Sequence, residues 1–212
     1  MLGADDGIVS TASLMVGVAA AHGTRATVLT AGLAGLAAGA MAMAAGEYVS
    51  VASQRDAEDA DLFRERRELA RTPDAELQEL ALIYEGRGLE PALARQVAEQ
   101  LTRHDALAAH ARDELGLRQE SLSRPLQAAA ASAAAFTLGA VFPILALLFA
   151  PDAERSAAIV AVALVGLVVL GLLGAAAGGA PALRPTARVM VGGAAAMAVT
   201  ALVGLLTHTA GA

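Results

Sequence analysis

The chain has 212 residues, 56% of them hydrophobic and 17% charged, with a net charge of −6 and no cysteine. A mean hydropathy of +0.56 is too apolar for an ordinary soluble domain of this length, which places the chain in the membrane class. The lack of cysteine excludes a disulfide framework and a thiolate metal site, and an acidic balance without a basic, aromatic-studded patch excludes nucleic acid as a partner. All fifteen basic residues are arginine, a compositional bias that carries no functional information.

The first uncharged run, Gly7 to Thr24, has 18 residues and is preceded by Asp5 and Asp6 rather than by a basic segment, so it reads as a retained helix and not as a signal peptide. It is short and begins almost at Met1, and the expectation is that the first span has further residues upstream of this start. Between Arg25 and Glu47 lie 21 uncharged residues, which at about 1.5 Å per residue match a hydrocarbon core of roughly 30 Å. The chain then turns highly charged up to Ala70 without a proline or Gly-Pro break, so one helix is expected to leave the bilayer and continue into water.

Thr72-Pro73 sets a threonine cap with proline at the first helical position of a second soluble helix. That helix runs to about Glu85, with Leu77, Leu80, Ala81 and Tyr84 on its apolar face and Gly86 and Gly88 ending it. A third starts near Pro91 and carries Leu93, Val97, Leu101, Leu107, Ala111 and Leu115 before Gly116 stops it. Three such helices form a small bundle. Further uncharged runs follow: Pro125 to Pro151 (27 residues), Ser156 to Leu183 (28) and Val189 to Ala212 (24). Pro143 is expected to kink the first of these. Gly35 and Gly39, and Gly171, Gly174, Gly178 and Gly179, read as surfaces for close helix packing.

The fold expected is an all-α membrane protein of five transmembrane helices with a three-helix cytoplasmic metal-binding domain between the second and third spans. Its parts are residues 1–54 (spans 1 and 2), 55–120 (the cytoplasmic domain) and 121–212 (spans 3 to 5). The segment from Arg55 to Arg124, with Arg118 among its flanking charges, holds eleven of the fifteen arginines and the Leu183 to Arg188 loop two, whereas the opposite loops hold Arg25 and Arg155 alone. Arginine-rich loops stay cytoplasmic, so the N-terminus and the middle domain are expected there and the C-terminus on the far side.

On the first soluble helix Asp61, Glu65 and Glu68 fall at i, i+4 and i+7; Glu76 and Glu79 are three apart on the second, and His110 and Glu114 four apart on the third. Stacked carboxylates repel, and a divalent cation relieves this; oxygen donors with one imidazole suit Fe²⁺, Mn²⁺ or Zn²⁺. The competing reading is a solvated helix surface with Arg64 and Arg112 as partners. In the second span Met43 and Glu47 share a face. A thioether beside a carboxylate offers a borderline cation one soft and one hard ligand; alternatively Glu47 sits at the interface and Met43 fills space.

Gly3-Ala-Asp-Asp-Gly-Ile-Val-Ser-Thr, the run from Ala31 through Met41-Ala-Met43 and Glu47 to Ser50, and Ser53-Gln-Arg-Asp together resemble the vacuolar iron transporter family, including its bacterial members. The resemblance covers nearly the whole chain. It implies a homodimer that exchanges Fe²⁺, and also Mn²⁺, for protons, with the pathway at the dimer interface and the soluble helices capturing cytosolic metal. On this resemblance Asp6 matches the acid of the first span, Met43 the methionine of the second, Glu65, Glu68, Glu76 and Glu79 the metal-binding glutamates, and Glu114 the acid of the third soluble helix. Two positions depart from some eukaryotic members: Gly35 stands where they carry a glutamate, which turns attention to Glu47, and His110-Ala111 replaces a methionine pair, which implies a harder, more pH-sensitive soluble site.

The functional expectation is a metal/proton antiporter that removes Fe²⁺ from the cytoplasm across a bacterial inner membrane, with no tightly bound cofactor and no enzymatic activity. Metal ligands are expected at Glu65, Glu68, Glu76, Glu79, His110 and Glu114, and a pathway at Asp6, Met43 and Glu47. The rivals are a membrane-anchored carboxylate ferroxidase, against which the absence of any Glu-x-x-His pair counts, and a metal sensor without transport.

Overall fold

The computed structural model of the protein describes residues 2–117 and 123–211. Arg118 and the expected boundary at residue 120 lie outside the described residues, as do Met1 and Ala212. The described residues form seven α-helices: α1 (Leu2–Ala20), α2 (Arg25–Arg71), α3 (Pro73–Gly86), α4 (Pro91–Asp113), α5 (Pro125–Phe149), α6 (Arg155–Ala177) and α7 (Leu183–Gly211), with a 3₁₀ turn at Asp152–Glu154. No strand occurs among them. The chain divides into two compact units, one of Met1–Glu47 with Leu126–Ala212 and one of Tyr48–Pro125.

In the first unit, four helices are long and apolar enough to cross a membrane: α2, α5, α6 (taken with its preceding turn) and α7. Helix α1, with 19 residues and two aspartates, is not among them. Met41, Leu138, Phe149, Val165 and Val191 are exposed on these helices, a surface suited to hydrocarbon rather than to water.

Helix α1 is the hub of this unit. Its Ile8, Ala12, Met15 and Val16 are buried with Val28, Ile144, Leu147, Ile159, Leu167 and Met197. Glycine sets the approach distances. A Cβ on Gly7 would lie 2.1 Å from the Phe136 carbonyl oxygen, one on Gly139 2.1 Å from that of Ala4, and one on Gly204 2.1 Å from that of Gly17. These contacts also fix direction: Gly3, Gly7 and Met15 of α1 lie against Ala135, Ala140 and Ile144 of α5 in that order, and Val9 and Gly17 lie against Gly193 and Thr200 of α7. Helices α1, α5 and α7 therefore run the same way, while α2, which brings Gly32 to Met15 and Gly35 to Leu14, runs against α1.

Arginine ties one end of this unit. Arg25, at the start of α2, donates to the carbonyls of Leu147, Leu148 and Ala150 at 2.6–2.8 Å and pairs with Asp152 at 3.0 Å, serving the otherwise orphaned C-terminal carbonyls of α5. Arg155 donates to the Gly23 carbonyl at 2.7 Å. Helix α5 continues through Pro143, which is buried.

In the second unit α2 continues unbroken to Arg71. Helix α3 follows at once, with Thr72 at its N-cap and Pro73 at its first position. Thr72 makes no side-chain cap bond; its hydroxyl donates to the Glu68 carbonyl at 3.2 Å instead. Helices α3 and α4 bury Leu80, Ala81, Ala98 and Ala109, flanked by Leu77, Tyr84 and Leu101. The expected third helix is corrected here. It breaks at Asp105, whose extended backbone (φ −162°, ψ 95°) separates two helical pieces and whose carboxylate accepts from the Ala108 N–H at 2.9 Å, an N-cap in mid-chain. The packed face also differs by one residue: Ala94 and Ala98 are buried and Leu93 is exposed, because small side chains let α4 lie closer to α3.

A clamp closes the far end of this pair. Asp113, itself buried, accepts from Tyr84 Oη at 2.8 Å and from Arg87 at 2.8 Å, and pairs with Arg112. These three donors outweigh the cost of burying the carboxyl and hold it well below its usual range.

Gly139→Ala inserts a methyl against the Ala4 carbonyl and is expected to cost about 1–3 kcal/mol, whereas Gly192→Ala meets nothing within 4 Å and is expected to leave stability nearly unchanged. Thermal unfolding of the detergent-solubilised protein checks both.

Candidate metal centre and membrane pocket

Three helices of the second unit bring one group of donors together. Glu65 comes from α2, Glu76 from the first turn of α3, His110 from the second piece of α4, and Glu114 from the residue that ends it. One ligand atom from each lies within 4.8 Å of all the others. Ions bind such atoms at about 2.0–2.2 Å, so the donors of a tetrahedral site stand about 3.3–3.6 Å from one another, a spacing that the four-donor group can reach by adjustment of its side chains.

The electrostatics favour a cation. His110 is fully buried and Glu65 is 2% exposed. The imidazole Nδ1 lies 3.0 Å from Glu65 Oε1, 3.0 Å from Glu114 Oε2 and 3.9 Å from Glu76 Oε2. One Nδ1 proton serves one of the two near oxygens, and Glu65 Oε1 and His110 Nε2 are both buried without a hydrogen-bond partner. Burial, then the Glu114 charge, push the Glu65 carboxyl up to about 7, with His110 pulling the other way. The arginines that would make this an ordinary charged helix surface are engaged elsewhere: Arg64 pairs with Asp61, and Arg112 and Arg87 with Asp113. Among the described residues no arginine pairs with Glu65, Glu76 or Glu114.

Glu68 and Glu79 are exposed and stand outside the four-donor group. They remain within its field: Glu79 is raised by desolvation and then by the Glu114 and Glu76 charges, and the Glu68 charge acts on both Glu65 and Glu79. Helical spacing on α2 grouped Asp61 with Glu65 and Glu68, but the buried acids of that helix are Glu58 and Glu65, two turns apart. Glu58 accepts from the Ser123 N–H at 3.1 Å and hydroxyl at 2.7 Å, which ties α2 to the residues preceding α5. These bonds, with Gln54 and Arg55, outweigh its burial and hold its carboxyl below the usual value.

In the first unit, Asp6 and Met43 line two pockets. One, of about 310 Å³, is bounded by Asp6, Ser10, Thr11 and Leu14 of α1, by Gly35, Gly39, Ala42 and Met43 of α2, and by Phe136 of α5. The other, of about 460 Å³, adds Asp5, Val9, Arg188 and the start of α7. Gly35 and Gly39 form the α2 wall because Leu14 and Phe136 fill the space of their missing side chains, a Cβ on Gly39 falling 2.1 Å from the Phe136 ring. Glu47 is exposed and lines neither pocket. Ser10, Thr11, Phe136 and Arg188 were not among the pocket residues expected from sequence, although Ser10 and Thr11 close the Gly3-to-Thr11 motif and Arg188 counted only towards orientation.

The chain matches the VIT family profile over residues 1–205. It is 47% identical over 210 residues to a vacuolar iron transporter of Acanthamoeba castellanii, covering 99% of this chain and 77% of that protein. It is also 40% identical over 202 residues to vacuolar iron transporter homolog 2 of Arabidopsis thaliana, covering 94% and 78%, and 40% identical over 201 residues to vacuolar iron transporter homolog 5 of Oryza sativa subsp. japonica, covering 94% and 74%.

The raised Glu65 carboxyl gives a pH dependence of definite sign. The folded state holds this proton more tightly than the unfolded chain does, so between the ordinary 4.5 and about 7 the folded state carries the extra proton and stability falls as pH rises. Glu58 and Asp113 work in the opposite sense, but only as pH falls through their own, lower range. Both tyrosines, Tyr48 and Tyr84, lie in the second unit, so tyrosine fluorescence follows its unfolding. In chelator the unfolding free energy is expected to fall from about pH 5 to about pH 7.5, by an amount on the order of 2 kcal/mol; Mn²⁺ restores it, increasingly so at higher pH, because metal displaces the proton. Glu65→Gln is expected to stabilise the metal-free protein at neutral pH and to abolish the Mn²⁺ effect.

Proposed function

The chain belongs to the VIT family, and from that premise we propose that it transports divalent metal, Fe²⁺ and also Mn²⁺, out of the cytoplasm in exchange for protons. Its apolar helices and its family make it an integral membrane protein. The proposed topology has five spans, with α1 as the first, a cytoplasmic N-terminus, and the Tyr48–Pro125 unit as a cytoplasmic domain inserted after the second span, in a homodimer in the inner membrane of a bacterial cell.

The observation that carries this reading is the placement of Asp6 and Met43 on one pocket among apolar helices. An ionisable group at membrane depth costs about 2.5–3.5 kcal/mol on insertion scales and persists where it serves a pathway. A carboxylate and a thioether on one pocket suit a borderline divalent ion. The names of the relatives point to iron as the cargo.

In this reading the Glu65, Glu76, His110 and Glu114 donors capture the ion, and Glu68 and Glu79 draw it towards them by their charge. Asp6 and Met43 then pass it on, with Glu47 as an exposed acid one turn from Met43. Protons compete with metal for carboxylate oxygens, so acid on the far side releases the ion and the carboxylates return protonated. No enzymatic step is proposed, and the mixed carboxylate and thioether lining of the pocket favours passage over a sensing role.

In proteoliposomes, Fe²⁺ uptake is expected to rise with an opposing proton gradient and to collapse, by tenfold or more, in Asp6→Ala and in Met43→Ala. Glu65→Gln is expected to raise the half-saturating Fe²⁺ concentration and leave the maximal rate nearly intact. Flux that ignores both the pH gradient and the first two substitutions overturns the proposal.

A further inference from the structure

Threonine hydroxyls in the apolar helices have a default destination. Thr137 donates to the Ala133 carbonyl at 2.8 Å, Thr200 to Ala196 at 3.2 Å, Thr207 to Gly204 at 2.9 Å and Thr209 to Leu206 at 3.0 Å, each satisfying its hydroxyl within its own helix. Ser10 does the same, to the Asp6 carbonyl at 2.6 Å. Thr11 does not. It is 1% exposed, and its Oγ1 is buried without a hydrogen-bond partner, although it borders the pocket shared by Asp6 and Met43.

A buried hydroxyl left unpaired bears the full cost of its lost hydration. Among the described residues, Thr186 and Ser13 are the other buried hydroxyls of this unit without a partner. Thr186 packs against Gly171, where a Cβ would come within 2.9 Å of its Oγ1, and neither residue lines either pocket. Thr11 alone combines a free buried hydroxyl with a place beside the carboxylate and the thioether. Five residues beyond Asp6, it stands about 7.5 Å further along the axis of α1, on the stretch of wall where α2 offers only Gly35 and Gly39.

We propose that Thr11 Oγ1 is a further donor of the transport pathway, binding the divalent cation or a water of its shell after the ion leaves Asp6. This rests on the transport reading above and adds a step to it. A hydroxyl is a neutral oxygen donor. It holds a cation without the charge that would trap it, and it replaces part of the water lost as the ion enters apolar surroundings. Oxygen donors favour Mn²⁺ relative to Zn²⁺, while the softer Met43 thioether favours Zn²⁺. Thr11 is therefore also a determinant of ion preference.

The test is Mn²⁺ and Zn²⁺ flux by the full-length protein in proteoliposomes, comparing Thr11→Val, Thr11→Ser and Thr11→Ala with Asp6→Ala and Met43→Ala. Thr11→Val keeps the volume and removes the hydroxyl; it is expected to lower Mn²⁺ flux at subsaturating metal about tenfold and Zn²⁺ flux about twofold, while Thr11→Ser stays within twofold for both ions. Met43→Ala is expected to shift the ratio the other way. Should Thr11→Val fail to fold, by its thermal midpoint, the contrast of Thr11→Ala with Thr11→Ser carries the same comparison. If the hydroxyl-free variants match wild type while Asp6→Ala abolishes flux, the inference is wrong and the transport reading stands. If Thr11→Ser falls as far as Thr11→Val, or the Mn²⁺ to Zn²⁺ ratio does not move, Thr11 is a packing residue and the inference is overturned. If Asp6→Ala and Met43→Ala also transport normally, both fail.

Discussion

The backbone approach of α1 to its neighbours is the constraint from which the first unit follows. Gly7 and Gly139 bring α1 against α5, Gly17 and Gly204 bring it against α7, and Gly32 and Gly166 receive Met15 and Ile8 from it. In hydrocarbon there is no hydrophobic gain in pressing helices together, so close van der Waals packing has to supply the association, and it does so only where side chains are absent. The consequence reaches the chemistry. Asp6 and Gly7 are adjacent, as are Ser10, Thr11 and the buried Ala12; polar groups are carried to the pocket by the same turns of helix that lock α1 in place.

The second unit is organised on the opposite principle. Its hydrophobic cluster is small, with Leu80 as its one large fully buried side chain beside three alanines. Much of its order comes from charge: Asp113 with Tyr84, Arg87 and Arg112 at one end, Glu58 with Ser123 at another. At the Glu65, Glu76, His110 and Glu114 group the charge is not balanced. A group of three carboxylates and one imidazole raises the energy of the metal-free fold, and in the proposed role that same excess would drive the uptake of a cation. Stability without the ion and affinity for it are thus set against each other at Glu65, the most buried of the acids.

Periodicity and charge made the larger outline legible. The switch from uncharged to charged residues within α2 is a one-dimensional signal, and so are the proline and glycine punctuation of α3 and the apolar runs of α5 to α7. Helical spacing also paired His110 with Glu114, because both lie on one helix. What spacing does not contain is which acids meet across helices. By sequence Asp61, one turn from Glu65, and Glu58, two turns away, both fall on its face of the helix; the structure pairs Asp61 with Arg64 and buries Glu58 on Ser123. The break at Asp105 was signalled by an aspartate three residues before a free N–H and was obscured by leucines that continue the pattern across it. That the Thr11 hydroxyl is unpaired is not written in the sequence, since every helical threonine has a carbonyl within reach and the fold decides which ones use it.

The two donor sets differ in a way that fits their proposed roles. A site that must hold an ion against a low cytoplasmic concentration gains from multiple charged ligands, as at the buried Glu65 and Glu76 and the exposed Glu114 around His110. A site that must release it gains from few charges and several weak donors, because an ion bound too tightly does not move on. The pocket at Asp6 has that second character: a single acid facing a thioether, a neutral hydroxyl beyond it, and glycine where the α2 wall comes opposite. Gly35 belongs to this design. A glutamate there would add a second full charge to the pocket and deepen the well that a cation has to leave, whereas in the proposed pathway glycine leaves the onward step to the neutral oxygen of Thr11.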